Sequence, residues 1–357
     1  MAIPGRSIAG ALVAAALVAA IGVPPRAVAA EAPAVVVTLK PLHSLIAGVM
    51  KGVGKPVLIE GARNPATPLD ADQTTAIGRA RLLFWLDARQ APRVAAQVAK
   101  RIDDLTVIDL MKAPGVRLMD ARRGHRRVAA ATARRPAAAA PKPAAPAVKD
   151  GNIVFRKRGD PAPKAAQPQR RAPARNWTSK AVPPANIATP DPHIWLDPRN
   201  AIAIVRAAAE ALAKADPGNA ARYRRNAAVL AVRIEALNDG LTATTRALRK
   251  ARYAVTNIAF QYFEDHYLMT PALEFGLVAP IPAKAAIAAA HRQIAAAGLT
   301  CVFAPTALDQ ASGAALVAGT KARLVRLDVN GRGQQPGPEA YFTLVKGIGG
   351  KIAACLR

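Results

Sequence analysis

The sequence predicts an α/β protein of two lobes, each a roughly four-stranded parallel sheet flanked by helices, joined by a long connecting helix. Three observations predict it. Short β-branched runs alternate with helical patterns over residues 34–110, and the same alternation resumes after residue 250. Between the two lies an apolar helical periodicity long enough for one rigid rod.

In chain order, Ala34–Leu39 (AVVVTL) reads as a strand and His43–Lys51 as a helix. Pro56–Glu60 is a second strand, Asp72–Arg79 a helix, and Arg81–Leu86 (RLLFWL) a third strand. Gln90–Arg101 is helical and Leu105–Leu110 a fourth strand. Later, Asp197 has the chemistry of a helix N-cap and Pro198 that of a first helical residue, for a helix to about Ala215. A longer helix follows from Pro217 to about Lys250, with Leu230, Ile234, Leu237 and Leu241 at helical spacing. It would span about 50 Å at 1.5 Å per residue. The second lobe reads as strand Tyr253–Thr256, helix Phe260–Tyr267, strand Ala272–Phe275 and helix Ala283–Ala297. Strand Cys301–Ala304, helix Leu308–Gly319, strand Leu324–Leu327 and helix Pro338–Leu356 complete it. Ligands in such sheets bind outside the carboxyl ends of the strands, and a cleft between lobes is a favoured place.

The chain of 357 residues carries 50 Lys and Arg against 23 Asp and Glu, a formal charge of +27. Such a charge raises nucleic acid or an anionic membrane surface as partner. Its distribution argues otherwise, because Ala121–Lys180 holds 16 Lys and Arg against two Asp, a net +14. That stretch, rich in Ala, Pro and Arg, has too few large apolar residues to order itself and reads as a flexible insert. With only Phe155 and Trp177 to stack on bases, it does not suit nucleic acid.

At the N-terminus, Arg6, the apolar run Ile8–Val23 and the small residues Ala27–Ala30 read as a signal peptide cleaved near Ala29 or Ala30. No later stretch is apolar enough to span a membrane, so a soluble exported protein, taken to be a monomer, is expected. The expected division is a signal peptide at 1–30, a first lobe at 31–120 and 185–216, and the basic insert at 121–184. The connecting helix takes 217–250 and the second lobe 251–357. In an exported chain the two cysteines, Cys301 and Cys355, most simply form one disulfide. A pair of buried free thiols is the alternative; a two-cysteine metal site is disfavoured because no histidine lies close to either. No activated Ser/His/Asp set, phosphate loop or CxxC motif is present, and KGIGGK is too weak a pattern for one, so no enzymatic chemistry is expected.

The stretch Asp191–Pro198 (DPHIWLDP) places one of only five histidines between two prolines and beside a tryptophan. Together with KPLHSLIAGVM near the start, FQYFEDHY, CVFAP and the terminal Cys355, it resembles the zinc ABC transporter substrate-binding proteins, of the wider zinc/manganese solute-binding family. The resemblance covers nearly the whole mature chain in the same order. It implies two α/β lobes on a long helix, a disulfide matching Cys301 with Cys355, zinc held between the lobes, lobe closure around it, and docking on an ABC permease.

Carried over residue by residue, the resemblance leaves few ligands. The family histidine in a Ser-x-His-Asp-Tyr loop falls on Pro65, which has no ligating side chain. The histidine of the His-Leu/Ile-Trp motif matches His193. The histidine of a Phe-His-Asp-Ala-Tyr turn falls on Asn257, whose amide oxygen is a poor zinc ligand beside imidazole. The glutamate of a Phe-Ala-Glu-Pro segment falls on Pro305 or its neighbour, while a Leu-Asp-Pro carboxylate of related members survives as Asp328. The metal candidates are therefore His193, Asp328 and Asn257, with zinc binding expected to be weak or altered. His193 could instead hydrogen-bond backbone where the chain enters a helix, and Asp328 and Asn257 could be turn residues. Of the other histidines, His43 is expected to pack or cap, His266 to lie about 13 Å from Asn257 along its helix, and His291 to face solvent. His125, in the insert, cannot replace a His-rich tract. The alternative reading is an exported interaction protein whose basic insert binds acidic partners or surfaces.

Overall fold

The computed structural model describes residues 32–61, 68–101, 104–121, 190–277 and 282–357. The expected signal peptide, Pro65, His125 and nearly all of the basic insert lie outside these residues.

Two four-stranded parallel sheets, each flanked by helices, form the framework. In the first, β1 (Val35–Val37) is three consecutive buried valines, the pattern of a central parallel strand covered on both faces. It pairs with β2 (Val57–Leu58) and with β3 (Leu82–Trp85), which pairs in turn with β4 (Thr106–Asp109). Helices α1 (Lys40–Val49), α2 (Ala71–Arg79) and α3 (Pro92–Val98) connect them. α1 starts three residues before the predicted position because Pro41 sits in its first turn, where a missing N–H costs nothing. Asp70 and Gln73 close α2 with a reciprocal capping box.

Of the two helices between the sheets, the first matches the prediction and the second is shorter than predicted. α4 spans Pro198–Ala215 with Asp197 as N-cap, and a short 3₁₀ turn at Pro217–Asn219 leads into α5 (Ala220–Arg246). The 27 residues of α5 give a rod of about 40 Å. Leu230, Ile234 and Leu241 are buried along one side of it. Glycines let neighbours approach: a Cβ at Gly48 of α1 would lie 2.9 Å from Leu230 Cδ2.

The second sheet repeats the first in the order β6-β5-β7-β8, from β5 (Ala254–Val255), β6 (Leu273–Glu274), β7 (Cys301–Pro305) and β8 (Arg323–Leu327). Its helices are α6 (Gln261–Tyr267), α7 (Lys284–Ala297), α8 (Gln310–Val317) and α9 (Ala340–Leu356). Cys301 at the start of β7 is bonded to Cys355 at the end of α9, their Cα atoms 6.1 Å apart. A bond across 54 residues is worth about 4 kcal/mol in the chain-entropy account. One continuous apolar cluster runs through both lobes, from Val35, Val37 and Phe84 through Ile234 and Leu241 to Val255, Phe303 and Tyr341.

Candidate functional site

In each sheet the chain leaves a central pair of strands in opposite directions, at β1/β3 and at β5/β7. Such switch points open a crevice at the carboxyl ends of the strands. Asn257 follows β5, Pro305 ends β7 and Asp328 follows β8, so all three stand at that edge of the second sheet. The first lobe meets the same edge. Lys40, just beyond β1, donates through Nζ to the Gln334 carbonyl (3.0 Å), while Glu60 pairs with the same ammonium at 3.0 Å. Trp195 Nε1 donates to the Val329 carbonyl, next to Asp328, at 2.9 Å.

His193 enters from the first lobe, immediately before a 3₁₀ turn at Ile194–Leu196. Its surroundings follow from a pattern that occurs twice in DPHIWLDPR. Proline holds the chain so that the aspartate before it folds back on the N–H two residues on, an Asx turn. Asp191 Oδ1 accepts from His193 N at 3.0 Å and lies 2.6 Å from His193 Nδ1. Asp197 Oδ1 accepts from Arg199 N at 2.9 Å and from Arg199 Nε at 3.1 Å. The first pair is enclosed: Asp191 is fully buried and the His193 side chain is only 12% exposed. The second serves a helix cap whose Arg199 side chain is 59% exposed.

A carboxylate only accepts, so His193 carries its proton on Nδ1 and, when neutral, has its lone pair on Nε2. The ring also leans on Trp195, with centroids 5.3 Å apart. At Nδ1 the ring's partner is thus a carboxylate, where the alternative reading had offered backbone. Asp191 is itself held from both lobes, its N–H donating to the Met119 carbonyl (2.9 Å) and its carbonyl accepting from Tyr262 Oη on α6 (3.2 Å). Burial pushes the Tyr262 hydroxyl up to about 12, which keeps it a donor. Gln261, also on α6, donates to the Asp120 carbonyl at 3.0 Å, and Arg117 pairs with Asp265.

The remaining candidates are committed to backbone. Asn257 Oδ1 caps the turn ahead of α6 by accepting from Ala259 N (3.0 Å). Asp328 accepts from Asn330 N (3.2 Å) and Gly333 N (2.9 Å), the turn role raised from the sequence, although each oxygen keeps a further lone pair. Among the described residues, no group of three or more His, Cys, Asp or Glu converges to hold a metal. The Pro65 position lies outside the described residues.

The other described histidines are in structural roles. His43 is buried and donates through Nε2 to the Pro56 carbonyl (3.0 Å); burial holds its imidazole below the ordinary value, outweighing Pro56 and Glu60. His291 reaches the Ala318 carbonyl at 2.8 Å. His266 is engaged with the first lobe. Its Nε2 lies 2.7 Å from Asn238 Oδ1, and its Nδ1 lies 3.1 Å from Asp197 Oδ1, near enough for an ion pair though not aligned as a full hydrogen bond. The sequence reading missed Asp191, Tyr262 and this His266–Asp197 contact. The repeated Asp-Pro-x spacing was the visible signal for the first; nothing in the spacing of residues 191 and 262 announced the second.

With this geometry, comparison with known proteins places the chain. Residues 35–355 match the family described as zinc-uptake complex component A, periplasmic, and the chain belongs to that family. It is 29% identical over 346 residues to the high-affinity zinc uptake system protein ZnuA of Brucella abortus (strain 2308), covering 92% of this chain and 93% of the relative. The corresponding protein of Paracoccus denitrificans (strain Pd 1222) is 37% identical over 168 residues, 46% of this chain and 52% of its own. A crystal structure of ZnuA superposes with a TM-score of 0.63 at 16% identity, covering 92% of this chain and all of that one. A manganese-bound periplasmic metal-binding protein from Candidatus Liberibacter asiaticus also gives 0.63, at 13% identity, with 90% and 99% covered. At these identities the structural likeness is one of fold. The family is described by zinc uptake, and among the described residues no helix is long and apolar enough to cross a membrane.

Proposed function

We propose that the chain is the periplasmic solute-binding component of an ABC-type metal-uptake system, with a metal site reduced to one imidazole, His193, assisted by the Asp328 carboxylate. It delivers its cargo to a membrane permease and binds zinc more weakly, or with altered preference, than a four-ligand site would. The observation that carries this reading is His193 itself. Its Nδ1 is engaged by a buried carboxylate, leaving Nε2 as donor at the meeting of the two lobes. Zinc takes about four N, O or S ligands. Asn257 is spent on a turn and Pro305 has no donor side chain, so solvent or unrecognised groups would complete the shell.

The test is a calorimetric titration of zinc into metal-free protein beginning near Glu31, beside His193→Ala. One-to-one binding that weakens at least about tenfold in the variant, roughly 1.4 kcal/mol or more, is expected. Binding indifferent to His193 would sink the proposal, and binding as tight as that of a complete four-ligand site would sink its claim of a reduced one.

A further inference from the structure

We infer that Asp191 is a positioning residue of the solute site, holding the His193 ring as its Nδ1–H form so that Nε2 is the atom offered to the metal. The inference rests on the metal-binding reading of His193. An Asx turn alone needs only the bond from His193 N, which a serine or asparagine could accept. Asp191 makes a second, shorter contact, 2.6 Å to Nδ1. It does so from a fully buried position, where an ionised carboxylate is costly unless paired. Its other oxygen, Oδ2, is buried with no hydrogen-bond partner among the described residues, so His193 is where its bonding is concentrated.

The contrast with Asp197 makes the case sharper. The same turn there supports a helix cap, and its charge is shared between an exposed Arg199 and His266. At Asp191 the recipient is an enclosed imidazole. Hydrogen bonds to Met119 and Tyr262 anchor the Asp191 backbone from both lobes. The ring's direction is thereby set by the lobe junction itself. Metal-binding histidines commonly donate their second ring nitrogen in this way, and loss of the partner costs roughly 10–100-fold in affinity.

Two substitutions separate positioning from plain folding. Asp191→Ser keeps an oxygen for the turn but cannot reach the ring, whereas Asp191→Asn keeps acceptors for both contacts. In the metal-free protein, nitrogen-15 NMR of the histidine ring, assigned against His193→Ala, reports which nitrogen carries the proton. Wild type and Asp191→Asn are expected to show the Nδ1–H form. Asp191→Ser is expected to lose it and to bind zinc roughly 10–100-fold more weakly, with Asp191→Asn losing less than about tenfold. A ring that stays Nδ1-protonated in Asp191→Ser, or unchanged zinc affinity in that variant, overturns the role of Asp191. Zinc binding indifferent to His193→Ala overturns the reading of the site instead, so the two failures are told apart.

Discussion

Asn257 stands where the family resemblance places a third imidazole, yet its side chain is occupied in capping the turn that leads into α6. Replacing it separates the two roles. Asn257→His is expected to raise zinc affinity by about tenfold or more, because a neutral imidazole is a far better zinc donor than an amide oxygen. The same change removes the acceptor for Ala259 N and should cost about 1 kcal/mol of stability. Calorimetry reads the first and urea unfolding the second. Stability lost without any gain in affinity would mean that the end of β5 does not face the metal. At this scale the sequence was only partly legible. His193 stood out because a histidine between two prolines and beside a tryptophan is a rare local pattern. Asp191 did not, since its function depends on a carboxylate folding back on its own turn and on burial supplied by α6. Asp328 reads as ligand and as turn residue from the same spacing, and its bonds to Asn330 and Gly333 satisfy the turn without using every lone pair.

Among the elements, α4 shows how a local signal gains weight from tertiary contacts. Asp-Pro at its start was enough to place the helix, because an N-cap aspartate and a proline at the first position each satisfy a requirement of helix geometry. The strands were legible for a similar reason: runs such as VVV and LLFW are buried on both faces. What the local pattern could not show is that the cap is fully buried and faces His266 of α6. Burial alone would push the Asp197 carboxyl up; His266 and Arg199 together outweigh it and hold the group at about 2, against an ordinary 3.8. The folded value is the lower one, so its stabilisation is complete above about pH 4 and is lost as pH falls through 2. The shift corresponds to about 2 kcal/mol. Asp197→Asn keeps a capping oxygen but not the charge. Urea unfolding should therefore show the variant about 2 kcal/mol less stable at pH 6, with the gap narrowing below pH 4. A gap independent of pH would mean that the charge of Asp197 contributes nothing beyond the cap.

At the scale of the whole molecule, the two lobes share one apolar core. Trp195 of the first lobe is fixed by Val329 and by Tyr341 Oη of the second, and all three are buried. A wide hinge opening would uncover them. The basic segment is joined to the lobes where its two flanks meet. Asp120 and Pro190 form an antiparallel bridge, and Asp191 N donates to the Met119 carbonyl at 2.9 Å. A short Gly/Ser linker can therefore replace residues 122–189 without drawing the flanks apart, and loop-closure entropy changes only slowly with length. The deletion takes the formal charge from +27 to +13. It is expected to leave the thermal midpoint and the His193-dependent zinc titration unchanged while removing any salt-sensitive attachment to anionic surfaces. The structural reason is that the contacts described for His193 are made by Asp191 and Trp195, which are held in turn by Met119, Tyr262 and Val329, and the deletion touches none of these residues. A loss of zinc binding on deletion, with folding intact, would place part of the solute site in the removed segment and refute a site confined to the lobe junction.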